Sequence, residues 1–189
     1  GELVLKGLKK LEYRGYDSWG VAVRNEKKHD VFVKKKTGKI GALELSSLSL
    51  PHGSIAMAHS RWATHGGVTA KNAHPHEGCT SEVVIIHNGI IENYSPLKKK
   101  LLRKGHRFTS ETDTEVAAHL IEEELKIIRR KNKNAPLTTQ QFSHAVQMAL
   151  TKLHGRYAFL VMSRELPVLI AARRGSPLIV GKGKSGEYF

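Results

Sequence analysis

Near the C-terminus two apolar runs, Tyr157 to Met162 and Val168 to Ala172, flank the short polar break around Glu165, Leu166 and Pro167. A parallel strand pair needs a crossover of a dozen residues or more, so this spacing forces an antiparallel hairpin. Trp19 to Val23 and Asp30 to Val33 repeat the pattern across a polar turn from Asn25 to His29. Ile55 to Trp62 and Glu82 to His87 read as further strands, and Pro177 to Val180 reads as part of a sheet. Helical spacing appears elsewhere. Val4, Leu8 and Leu11 recur at i, i+4, i+7, with Gly15 as the stop. A weaker helix is expected over Ile40 to Leu48, and stronger ones over Ser95 to Lys104 and Thr112 to Arg130. Gln140 to Leu153 places Phe142, Val146, Ala149, Leu150 and Leu153 on one face. Thr112 followed by Glu115 is a capping-box pattern for the longest helix. Helices in runs and strands in hairpins predict an α+β fold.

At 189 residues, with 40% hydrophobic and 25% charged residues, the chain suits one globular domain spanning positions 1–189. No apolar run approaches the roughly 20 residues of a bilayer-crossing helix. The lone Cys79 excludes an intramolecular disulfide, and Gly1-Glu2-Leu3 lacks the marks of a signal peptide, so a cytoplasmic protein is expected. The net charge of +14 raises polyanion binding. Its carriers, Lys27-Lys28, Lys34 to Lys36, Lys98 to Lys100 and Arg129 to Lys131, are short scattered runs without interleaved aromatics, so nucleic acid is an unlikely partner.

Polar residues and glycines gather at strand ends in three places: His59 to Gly66, His87-Asn88-Gly89, and Ser110 to Asp113. Together they offer a guanidinium for a carboxylate, an amide and a glycine N–H for an oxyanion, and an acid for an ammonium. Those are the needs of an enzyme that grips a free amino acid by both charged ends. The set holds no nucleophile. Cys79 could be weighed with His74 or His76, but a loop cysteine without a placed base is usually inert. His59, His65, His74, His76 and His87 match no familiar ligand spacing, so no metal is expected, and Gly175-Ser176-Pro177 is not a nucleophile elbow.

Glu12 to Ser18, His59 to Gly66, Asn72 to His76, His87 to Asn93 and Ser110 to Glu115, in unbroken order, resemble the glutaminase domain of the glutamine:fructose-6-phosphate amidotransferase family, within the class II glutamine amidotransferases. The resemblance implies an N-terminal-nucleophile hydrolase fold, a four-layer αββα sandwich of two antiparallel sheets. It implies a reaction in which an N-terminal cysteine attacks the amide of L-glutamine, with its own amine as base. Catalytic roles pass to Asn88 and Gly89 as the oxyanion hole. Substrate binding passes to Arg61, Trp62, Thr64, His65, Gly89 and Asp113, with Trp62 as a gate toward the acceptor. Arg14, His59 and His74 are given structural support.

No metal or organic cofactor is implied. Fructose 6-phosphate would enter through a sugar isomerase domain outside this chain, and the full-length enzyme would be a homo-oligomer, this part a monomer. The chain departs from the family in beginning at Gly1 inside the first helix, without the nucleophile strand, and in carrying Trp19 where a small residue is usual. The alternatives are another class II amidotransferase and a catalytically silent basic binding domain.

Overall fold

The computed structural model describes residues 1–41, 43–63, 66–133 and 135–188. Helix α1 covers Glu2–Lys10, followed by strands β1 (Ser18–Asn25), β2 (Asp30–Thr37), β3 (Ala56–Arg61), β4 (His76–Glu77) and β5 (Val83–Ile91). Helices α2 (Tyr94–Arg103), α3 (Glu115–Lys131) and α4 (Thr139–Leu150) come next, then β6 (Gly155–Ser163) and β7 (Leu169–Arg174). The strands form two antiparallel sheets, ordered β2-β1-β3 and β4-β5-β6-β7.

Side-chain alternation along the strands sets the layers. Trp19, Val21 and Val23 of β1 pack with Leu5 and Leu8 of α1, whereas Ala22 turns the other way to meet Met57, Val84, Ile86 and Met162. In the second sheet Val83, Ile85, Phe159 and Val161 face Val116, Ile121, Phe142 and Val146 of α3 and α4. One apolar layer therefore lies between the sheets and one lies beneath the helices on each outer side, giving the αββα order. Burial on both faces is why Val83 to Ile86 is apolar without alternation. Trp19 is absorbed on the α1 side, at 2% exposure.

Several local expectations are corrected. Leu11 lies beyond α1 and is exposed, so the buried helix face is Leu5 and Leu8. Among the described residues of 40–48 the structure forms a 3₁₀ turn at Leu45–Leu48 rather than an α-helix, and Ile40 and Leu48 dock on the α1 core as separate anchors. Helix α3 starts at Glu115, not Thr112. The Thr112 hydroxyl is engaged by Ser110 Oγ at 3.0 Å and His76 Nε2 at 3.1 Å, and Glu115 accepts from the backbone N–H of Thr109 and Ser110 instead of closing a box. A capping box does form, unforeseen, at Thr138 and Gln141 of α4. Pro177 to Val180 form no strand, and Ile179 is 87% exposed.

The basic runs fall on separate elements: the β1–β2 turn, β2, α2 and the last turn of α3. Lysines along β2, at one edge of its sheet, keep that edge from pairing with another chain. Among the described residues no helix is long and apolar enough to cross a membrane.

Candidate active site

A cavity of about 260 Å³ opens where β3, β5 and the segment before α3 converge. Asn88, Gly89 and Ile90 are exposed within an otherwise buried central strand, so the sheet itself forms the cavity floor. Its volume lies below the roughly 300–1,000 Å³ of drug-sized sites, a scale suited to one small metabolite.

His59 on β3 orients Asn88 on β5. Its Nε2 lies 2.8 Å from Asn88 Oδ1, and because that oxygen can only accept, Nε2 carries the proton and the Asn88 amide nitrogen remains a donor for another acceptor. Burial pushes His59 below its ordinary range, which keeps the ring neutral even though the Asn88 bond opposes the shift. Gly89 has φ of +133°, and a Cβ there would come within 2.1 Å of Arg156 O, so only glycine fits.

Arg61, at the end of β3, is 5% exposed and donates to Gly66 O at 3.3 Å and Gly67 O at 3.2 Å. Burial pulls its guanidinium down from its ordinary value, and Asp17, Asp113 and Glu111 oppose that pull. The loop beyond Arg61 is tied to the opposite rim: Asn72 Nδ2 donates to Gly67 O and to Glu111 Oε2, and Glu111 N donates to Asn72 Oδ1. Asp113 Oδ2 accepts from Ile91 N at 2.7 Å, which anchors the acid beside the end of β5. Trp62 is 59% exposed at the rim with its ring 5.6 Å from that of Tyr16. Thr64 and His65 lie outside the described residues.

In the cavity lining the Thr114 hydroxyl sits between His74 Nε2 at 3.0 Å and His87 Nδ1 at 2.9 Å. One proton serves two rings, so the hydroxyl donates to one and accepts from the other. Burial first, and neighbouring charges second, hold His74 well below its ordinary value and His76 at about 3; burial holds His87 at about 4 against Asp113. The site is thus backed by neutral imidazoles, leaving Arg61 as a cation within it.

The structure brings Arg61, Trp62, Asn88, Gly89, Asp113, His59 and His74 together in the lining of one cavity. Arg14 lines the same cavity from its 3₁₀ turn, which gives it access to whatever binds there. The Thr112 and Thr114 hydroxyls were missed as site residues; their signal was their place next to Asp113 in the Ser110 to Glu115 motif. Cys79 is not among the cavity's lining residues.

A family model described as a glutamine amidotransferase domain matches residues 59–189. Glutamine-fructose-6-phosphate aminotransferase (isomerizing) of Pyrococcus horikoshii is 50% identical over 191 residues, an alignment covering all of this chain and 29% of that protein. The enzyme of the same name from Methanococcus maripaludis is 47% identical across 95% of this chain and again 29% of its own length. Among solved structures, glutamine phosphoribosylpyrophosphate amidotransferase from B. subtilis, complexed with ADP and GMP, superposes with a TM-score of 0.75 at 27% identity, covering 99% of this chain and 38% of that one. The chain therefore spans under a third of the curated relatives it matches. The family match takes in the end of β3, β5 and the start of α3, which build the cavity, and the chain belongs to the glutamine amidotransferase domain family.

Proposed function

We propose that this domain releases ammonia from the side-chain amide of L-glutamine. The observation that carries the reading is the Asn88 amide, held by His59 at 2.8 Å beside Gly89 and across the cavity from Arg61 and Asp113. In this reading Arg61 pairs with the glutamine carboxylate, and the Asp113 oxygen not bonded to Ile91 N receives the α-ammonium. Asn88 Nδ2 and Gly89 N–H donate to the oxygen that becomes negative as the amide carbon turns tetrahedral.

The nucleophile is the N-terminal cysteine implied by the resemblance, ahead of Gly1. Its amine takes the thiol proton and passes it to the leaving nitrogen, and water then opens the thioester to give glutamate. Trp62, its ring tilted against that of Tyr16 at the rim, closes over the bound amino acid and directs ammonia inward.

Relatives of about three times this length are named for fructose 6-phosphate, which supports the domain as the glutaminase part of an enzyme that aminates that sugar. Steady-state glutamate release by the full-length protein tests this. Arg61→Ala is expected to raise KM by about 10–100-fold, the worth of one or two charge-assisted hydrogen bonds. Glutamate release no faster than from a solution without enzyme overturns the reading.

A further inference from the structure

A second polar cluster lies outside the cavity. Cys79 in the turn after β4, His106 in the loop after α2, and His119 and Glu122 one turn apart on α3 point single donor atoms at one spot, all within 4.8 Å of one another. Cys79 Sγ is 3.6 Å from both His106 Nδ1 and His119 Nδ1. The two Nδ1 atoms are 3.1 Å apart, and Glu122 Oε2 lies 3.3 Å from His119 Nδ1 and 3.6 Å from His106 Nδ1. A tetrahedral ion with bonds of about 2.0–2.1 Å to nitrogen or oxygen and about 2.3 Å to sulfur has edges of about 3.3–3.6 Å. Four of these five separations fall in that range, and the distance between the two nitrogens, 3.1 Å, is slightly shorter.

Carboxylates stand behind both rings, with Glu123 Oε1 2.9 Å from His106 Nε2 and Glu115 Oε1 3.5 Å from His119 Nε2, so the outer nitrogens can hold the protons when the inner ones ligate an ion. Carboxylates behind metal-bound histidines serve this purpose. Arg107 N–H donates to Cys79 Sγ at 3.2 Å, which fixes the position of the sulfur. Cys79 N donates to Glu122 Oε2, and Thr80 N and Oγ1 donate to Glu122 Oε1, which holds the carboxylate in place. Gly78 allows that approach, because a Cβ there would lie 2.2 Å from the Glu122 carboxyl group. Two imidazole nitrogens, a carboxylate and a sulfur converging on one point make a donor set suited to a cation.

We infer that Cys79, His106, His119 and Glu122 bind one zinc-class divalent ion in a closed, four-ligand structural site. The donor set is mixed and moderately soft, which suits Zn²⁺ and disfavours Mg²⁺ or Ca²⁺. Binding releases the Cys79 thiol proton to solvent and clips the β4–β5 turn and the α2–α3 loop to α3. Sequence reasoning, which expects no metal, weighs Cys79 only against His74 and His76, because His106 and His119 are distant in the chain.

Metal content of the full-length protein, purified under reducing conditions, tests the inference independently of glutamine hydrolysis. One zinc per chain by elemental analysis is expected. Cobalt exchange is expected to produce a thiolate-to-cobalt charge-transfer band that disappears in Cys79→Ser, whose position at the surface spares the core. Glu123→Ala is expected to weaken zinc binding about 10–100-fold through the ring it orients. Absence of both zinc and the cobalt band in wild type, leaving only a proton shared between the rings, overturns the site, as does a band that persists in Cys79→Ser.

Discussion

Gly89 shows how far one position can be read in each direction. In the chain it looks like part of an Asn-Gly turn, yet it sits inside β5, opposite Tyr157 of β6, with a backbone that side chains rarely adopt. Gly89→Ala combines that conformation with a clash against Arg156 O. It is expected to cost about 1–3 kcal/mol or more, read as a lower midpoint in urea unfolding. The residues of the cavity were legible because their motifs are contiguous and each supplies one chemical group. Thr114 was not, because its role depends on His74 and His87 meeting from two distant segments.

At the scale of elements, the expected hairpins and the helical runs correspond to β1–β2, β6–β7 and the α2 to α4 series, since apolar periodicity and short connections are local signals. The failures were places where tertiary partners outbid a local pattern. Thr112 has the capping sequence, but His76 and Ser110 hold its hydroxyl, so α3 begins three residues later. Thr138 has no such competitor and caps α4 reciprocally with Gln141. Thr138→Ala is therefore expected to destabilise the protein by about 1 kcal/mol, while Thr112→Ala leaves α3 helicity unchanged in circular dichroism. The two-residue β4 escaped notice because two residues carry no periodicity; its pairing with Val84 and Ile85 sets it at the edge of the second sheet.

For the molecule as a whole, the neutral histidines around the cavity make stability depend on pH. His76 at about 3 faces Lys35 from β2, Glu115 from α3, and His59 and Arg61 from β3; His87 at about 4 faces Asp113 and His59. Both values lie below the ordinary 6.5 of an unfolded histidine. Between pH 6.5 and about 4 the unfolded chain therefore takes up protons that the native chain refuses, and stability falls as pH falls. Each ring contributes up to about 1.4 kcal/mol per pH unit in that window. Thermal midpoints at pH 7.5 and pH 5 are expected to show the loss, with a shallower slope in His87→Gln.

The four-layer order was implied by the family resemblance rather than by periodicity, which could give only α+β. What periodicity lacked was the partner of each strand face, now supplied by the Ala22, Met57 and Val84 layer between the sheets.

In the proposed reaction Asn88, steadied by His59, stabilises developing negative charge in a glutamine-binding cavity. The most direct measurement compares kcat for glutamine hydrolysis and the affinity for L-glutamate in full-length wild type and Asn88→Ala. The expected result is a kcat lower by about 10²–10³ with glutamate affinity preserved. A kcat equal to wild type in the variant would contradict the claim.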